Sequence, residues 1–283
     1  MDWGKAKNYT IIFLIFLNTV LFFCNICFNK RYVITNEQID AVKTILNERN
    51  IKIDASCEIP VDYSPMLQIN FGEYYYDEIN IQKIFFPENS EVKRTTDFEK
   101  TILSLGDAAI FIKDDIVEFE NYGALKKVSI DRESVLKVCE EYASRAEEFF
   151  DDLENYGLKE FDDCYIVEYI GRYKNTSVFC NYMRFKISKD GGMRVRLRYF
   201  PVKNLYGNEV DICSADEALF IFSEKAGEIC GTKDVSVLKI AKGYYFDDFV
   251  RGNKIISIPY YRIDVAEKEE PFFVNAYNRT LEE

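Results

Sequence analysis

Histidine is missing from all 283 residues. That removes Ser-His-Asp and Cys-His catalysis, imidazole metal ligation and the usual pH switch together. The carboxylates that remain cluster as Asp114-Asp115, Asp151-Asp152, Asp162-Asp163 and Asp247-Asp248. Adjacent residues on a strand point to opposite faces, and on a helix they diverge by ~100°. Such pairs suit solvated turns better than acid–base dyads. No S-x-x-K with partner motifs, Gly-x-Gly pattern or P-loop accompanies them. The expectation is a non-enzyme with no catalytic residue, cofactor or metal site.

Thiols and aromatic rings are the other candidates. Cys24 and Cys27 lie in an apolar run, and Cys57, Cys139, Cys164, Cys180, Cys213 and Cys230 lie beyond it. None of these six forms a C-x-x-C pair, which argues against a zinc ribbon or a thioredoxin-like site. Their even number permits disulfides, and buried free thiols fit equally well. Tyr74-Tyr75-Tyr76 and Tyr244-Tyr245-Phe246 could form a sugar- or peptide-binding platform, or alternate between core and surface. Any exposed tyrosines would suit a protein interface, where tyrosine is enriched.

Residues 8–29 contain no Asp, Glu, Lys or Arg, and residues 9–28 are dominated by Ile, Leu, Phe and Val. At ~1.5 Å per residue, ~20 helical residues span the ~30 Å core of a bilayer. Phe22 and Phe23 are too bulky for signal-peptide cleavage or for lipidation at Cys24. The chain is therefore expected to have a cytoplasmic leader (1–8), a transmembrane helix (9–28) and an extracytoplasmic remainder in a single-pass cell-membrane protein. Lys5 and Lys7 nearly balance Lys30 and Arg31, so this orientation rests on the long downstream domain and not on charge bias. Asn18 and Asn25 are seven residues apart, with Leu14 and Leu21 on the same stripe. This face reads as a docking surface for other transmembrane helices, or as a set of tolerated amides. The formal charge is −12, and without the first 31 residues it is about −15. So acidic a domain argues against nucleic-acid partners and against adhesion to anionic lipid.

The elements that must position these groups follow from periodicity. With 48% hydrophobic and 16% aromatic residues, the chain can bury sizeable cores. A helix after Thr35 or Asn36, with Ile39, Val42, Ile45 and Leu46 on one face, ends at Asn50, and a strand begins at Ile51. Leu67, Ile69 and Phe71 alternate as a strand, and residues 110–113 and 116–119 flank Asp114-Asp115 as a hairpin. A long helix is predicted over residues 131–156, with Asp131 as N-cap and Gly157 as stop. Its stripe is Val135, Cys139, Tyr142, Ala146, Phe149, Leu153 and Tyr156. Strands follow at 164–169, 177–187 and 193–200, the last two joined across Gly191-Gly192. A second helix starts at the capping box Ser214 to Glu217 and closes at Gly227 or Gly231. Strands at 235–245, 255–265 and 272–277 complete the chain.

Helix-strand-strand-strand thus occurs twice. Residues 181–187 and 259–265 match in their apolar alternation, with Arg184 and Arg262 in the same phase. The predicted class is α+β: an N-terminal part (32–130), then two units (131–205 and 206–283), each a helix on a three-stranded antiparallel meander.

Several local motifs occur in a recognisable order. The leader Met1-Asp2-Trp3, with Lys5 and Lys7, runs directly into Ile11-Ile12-Phe13-Leu14-Ile15-Phe16-Leu17-Asn18. Phe71-Gly72-Glu73-Tyr74-Tyr75-Tyr76-Asp77 follows. The C-terminal set is residues 214–218, Gly243-Tyr244-Tyr245, Ile258-Pro259 with Arg262-Ile263, and Val274-Asn275-Ala276. Together they resemble the YycI (WalI) family of membrane-anchored regulatory proteins of Gram-positive bacteria. Tyr261 stands where that family usually has Trp, and no Gly follows Asn275-Ala276. The resemblance implies a single-pass protein with a YycH-like ectodomain, associated with a YycH-like co-regulator and a sensor histidine kinase of WalK type. It would adjust that kinase and, through WalR, the expression of cell-wall hydrolase genes. Two other classes stay open: an extracytoplasmic module binding a wall polymer or peptide, and an extracytoplasmic hydrolase or hydrolase inhibitor.

Overall fold

The structure is a computed structural model. It describes residues 3–97, 100–123, 125, 130–150, 152–232, 234–246 and 254–282, and in the first helix the side chains of Trp3 and residues 7–23. Helix α1 (Trp3–Lys30) leads into α2 (Asn36–Glu48), β1 (Ile51–Ile53), β2 (Met66–Phe71) and α3 (Glu78–Phe85). Strands β3 (Lys93–Asp97), β4 (Lys100–Leu105), β5 (Ala108–Lys113) and β6 (Ile116–Asn121) precede α4 (Arg132–Ala146). Then come β7 (Leu153–Glu160), β8 (Cys164–Tyr173), β9 (Thr176–Ser188), β10 (Met193–Arg198) and β11 (Val202–Val210). Helix α5 (Ala215–Cys230) and strands β12 (Val235–Tyr245), β13 (Ile255–Val265), β14 (Phe272–Asn275) and β15 (Leu281–Glu282) close the chain. The fold is α+β, with five helices and one large, mostly antiparallel sheet among the described residues.

Local chemistry sets several boundaries. Thr35 caps α2 through a full capping box with Gln38, and Asn50 leaves the helix at φ 60°. Asp131 caps α4 in the same way with Ser134. Gly231 ends α5 in the left-handed conformation that glycine adopts without steric cost. Ser214 occupies the N-cap position of α5, but its side chain makes no capping hydrogen bond, contrary to the capping box expected from sequence.

The spine of the sheet runs β11-β2-β13-β12-β9-β10-β6-β5-β4-β3. Helices α3 and α4 pack on β4 to β10 over one core that includes Phe85, Phe119, Val135, Phe185 and Leu197. Helices α2 and α5 pack on β1 and β12 to β14 over a second, with Leu46, Phe222, Tyr261 and Val274. The main-chain ladder between the two halves runs where β12 meets β9 in parallel, paired at Gly243–Ser177 and Tyr244–Val178 among the described residues. Beside this seam, β2 pairs with both β11 and β13 over a small core containing Phe71, Phe200 and Tyr244.

The long helix predicted over 131–156 is the main correction. It stops at Ala146, and Leu153 and Tyr156 belong to β7, where Gly157 sits at a bulge opposite β8. The apolar stripe continued past the helix because a half-buried strand follows after six residues. The first unit therefore has four antiparallel strands, β7-β8-β9-β10, and the second extends the expected three, β12-β13-β14, by the short β15 paired to β14. Residues 199–200 and 276–277 lie outside the strands predicted to hold them, and β8 runs on to Tyr173. Helix α3 and strands β3, β4 and β11 have no counterpart among the predicted elements.

Every described side chain of α1 is exposed. Among the described residues, no helix is long and apolar enough to cross a membrane.

Candidate functional site

The repeated arginines converge. Arg184 on β9 and Arg262 on β13 come from the two matching sequence segments, and both bind Glu168 on β8. Arg184 meets Oε1 through Nε at 2.7 Å and Nη2 at 2.6 Å, and Arg262 Nη2 donates to Oε2. Arg262 also forks onto Asp264, with Nε to Oδ2 at 3.0 Å and Nη2 to Oδ1 at 2.9 Å. Lys159 Nζ on β7 completes the cluster, 2.9 Å from Asp264 Oδ1. Charges from both halves thus interlock: Glu168, Arg184 and Lys159 from one, Arg262 and Asp264 from the other.

The residue pattern explains this geometry. Arg262 and Asp264 are two apart on a strand and share a face, and Glu168 and Arg184 are directly paired across β8 and β9. The Arg262 side chain is 2% exposed, so an unpaired charge there would be costly, and each carboxylate must answer it. Burial alone would raise the Asp264 carboxyl, but Arg262 and Lys159 outweigh it and hold the group well below the usual carboxylate range. Glu168 is likewise lowered, by Arg262 and Arg184 against burial. Below the cluster, Lys239 Nζ donates to the Tyr156 carbonyl at 2.8 Å and lies 3.4 Å from the centre of its ring. Burial pushes that ammonium down from its ordinary value. The Tyr156 hydroxyl is enclosed and, among the described residues, has no hydrogen-bond partner.

An acidic strap crosses the cluster. The β13–β14 connection sends Glu270 to Arg184 and Glu269 to Lys186 at 2.6 Å, while Glu267 accepts from the backbone N–H of Ser236 with both oxygens at 3.0 Å. Beside the strap opens a cavity of about 240 Å³ lined by Arg184, Arg196, Arg262, Tyr182, Tyr245 and Phe273, among others.

The sequence-predicted contacts fall in several places. Leu14, Asn18 and Leu21 are exposed on α1, and the Asn25 side chain lies outside the described residues. Tyr74 packs edge-on against Tyr76, Phe150 and Tyr199. Tyr76 donates to the Asp115 carbonyl at 2.9 Å and accepts from the Tyr199 N–H at 2.9 Å. Tyr75 alone of the three is open, at 63% exposure. Tyr244 is buried and donates to the Leu67 carbonyl at 3.0 Å. Tyr245 stacks on Phe273 at 3.6 Å and faces the arginine-lined cavity.

Of the carboxylate pairs, Asp162, Asp163, Asp114 and Asp152 are exposed. Asp115 is bound to Arg198 Nε at 2.6 Å. Asp151, Asp247 and Asp248 lie outside the described residues. All six cysteines beyond α1 are free thiols, four of them buried, and burial pushes Cys180 up to about 12. The charge cluster had one sequence signal, the shared phase of Arg184 and Arg262. Its carboxylate partners carried none, because Glu168 and Asp264 sit in strands whose neighbours only the fold reveals.

No protein-family model and no curated protein sequence matches this chain. Among solved structures it is similar to an uncharacterized protein from Eubacterium rectale, with TM-score 0.49 and 11% identity over 83% of this chain and 91% of the other. It is similar also to YycH from Bacillus subtilis, with TM-score 0.46 and 12% identity over 76% of this chain and 55% of that one. The C-terminal domain of Bacillus megaterium YpeB gives TM-score 0.39 and 10% identity over 75% of this chain and 97% of that domain.

Proposed function

We propose that this chain is a non-catalytic, membrane-anchored accessory protein. In this reading α1 lies in the bilayer, and the ectodomain meets a sensor histidine kinase of WalK type and a YycH-like co-regulator, as the YycI resemblance implies. One observation carries the proposal. The described side chains of α1 from residue 7 to residue 23 are all exposed, including Ile12, Phe13, Ile15, Phe16 and Phe22, each above 60%. A helix that packs none of this surface on its own protein needs another apolar environment. In sequence the uncharged run continues to residue 29, which gives the length a bilayer requires. Leu14, Asn18, Leu21 and Asn25 would form the face presented to partner helices. An amide hydrogen bond there contributes ~0.6 kcal/mol on average.

The test is crosslinking in native membranes followed by identification of the partners. A histidine kinase and a second anchored protein are expected among them. Replacing Asn18 and Asn25 together with Leu should leave the protein in the membrane and lower the yield of the kinase crosslink. An undiminished yield would remove this face from the interface.

A further inference from the structure

The cavity beside the acidic strap holds more hydrogen-bond donors than acceptors. Arg196 binds Glu118 through Nε at 3.2 Å and Nη2 at 2.9 Å, which leaves Nη1 without an acceptor among the described residues. Arg262 spends Nε and Nη2 on Asp264 and Glu168, and its Nη1 is likewise unmatched. The Tyr182 hydroxyl, on the strand residue two before Arg184, has no protein partner among the described residues. All three side chains line the same cavity.

Its lining acceptors are already engaged. Glu168 is shared by two arginines, and Glu282 accepts from the Tyr260 hydroxyl at 2.6 Å. Glu270 is different. It binds Arg184 from the strap, yet its side chain is 67% exposed, so only one end of it is fixed. The lining also includes the stacked pair Tyr245 and Phe273. Guanidinium and phenol donors lining one cavity, together with a stacked aromatic pair, match a carboxylate carried on a small organic group. Glu270 already presents a carboxylate to one of these arginines.

We propose that this cavity binds the carboxylate of a small organic acid or peptide terminus, with Glu270 as an internal competitor for Arg184. Arg196 Nη1, Arg262 Nη1 and the Tyr182 hydroxyl supply the donors, and Tyr245 with Phe273 supplies the contact for the organic group. The site lies in the ectodomain and does not depend on how α1 is housed. About 240 Å³ suits a fragment of one or two amino-acid residues.

The experiment is a ligand-observed NMR titration of the full chain, purified in a mild detergent, with N-acetylalanine as probe. Its neutral amide, acetate and inorganic phosphate serve as comparisons. Saturable binding of N-acetylalanine without binding of the amide is expected. Acetate binding as well as N-acetylalanine would mark the ligand as a small acid, and weaker acetate binding would mark it as a peptide terminus or similar group. Either result supports the site. Arg196→Gln and Tyr182→Phe each remove one unmatched donor without touching the buried cluster, and should weaken binding by roughly three- to tenfold. Glu270→Gln frees Arg184 and should tighten binding several-fold. Thermal melts of each variant show whether the fold is retained. Absence of binding by both the unaltered chain and Glu270→Gln overturns the proposal. So does equal binding of the amide, tighter binding of phosphate, or unchanged affinity in folded Arg196→Gln and Tyr182→Phe.

Discussion

Glu168 is the residue on which both halves depend, since one carboxylate answers an arginine from each. Replacing it with Gln keeps the shape and removes the charge, leaving Arg184 and Arg262 buried beside one fewer anion. Removing one partner of a buried ion pair costs about 3–5 kcal/mol. Urea denaturation of Glu168→Gln should show a loss of that order. Glu270→Gln, whose carboxylate is largely in water, should lose no more than about 1 kcal/mol. Similar losses for the two would mean the cluster is not the joint described. The same residue sets a pH dependence. Glu168 and Asp264 are held below their ordinary values of 4.5 and 3.8 by the facing cations. A depressed folded-state carboxyl stabilises fully above its unfolded value and loses that stabilisation as pH falls toward the folded one. The stability gap between the unaltered chain and Glu168→Gln should therefore be constant above about pH 5 and shrink below about pH 4. A gap that is unchanged at pH 3 would contradict this assignment.

At the scale of elements, the β9–β12 seam rests on a glycine. A Cβ on Gly243 would lie 2.4 Å from the Ser177 carbonyl oxygen and 2.6 Å from Phe179 Cε2. Neither neighbour has room to retreat, since one is backbone and the other is a buried ring. Gly243→Ala should cost about 1–3 kcal/mol or more, the range for overpacking, and should loosen the two halves relative to each other. Hydrogen exchange at Ser177, Val178 and Tyr244 would report it, and unchanged protection there would rule the seam out as the weak point. The Gly243-Tyr244-Tyr245 motif carried part of the family resemblance, and here it has a steric reason. Strands β12 and β13 and the capped start of α2 were legible in sequence because alternation and capping chemistry are local. The strand β7 was not, because its apolar positions continued the helical stripe of α4 in phase. Strands β3 and β11 were invisible for another reason: β3 is exposed throughout and β11 nearly so, and neither shows a buried alternation to read. The charge cluster was half legible, in the arginines alone, since pairing across strands is fixed by register and not by spacing.

At the scale of the whole molecule, α1 and the rest of the chain have separable roles. The two main cores are built from Ile34 onward, and no described side chain of α1 belongs to either. Tyr63 reaches back only to the carbonyl of Arg31, and Tyr32 to Asp211, so the folded part begins just after the helix. A chain starting at Lys30 should therefore keep the full set of core contacts. Its melting temperature should lie within about 2 °C of the full chain's, because a 1 kcal/mol change shifts a domain of this size by only about 2–4 °C. Its location should change completely. The full chain, with its exposed Ile, Leu and Phe surface, should stay with membranes through an alkaline carbonate wash, whereas the shortened chain should be released in the first soluble fraction. Release of the full chain by carbonate would show that α1 is held by protein contacts and not by lipid. In that case the exposed face with Leu14, Asn18 and Leu21 would have to be sought in a soluble complex. Retention of the full chain together with an unchanged melt of the shortened one would separate anchoring from folding, and leave α1 free to be selected for what it touches in the bilayer.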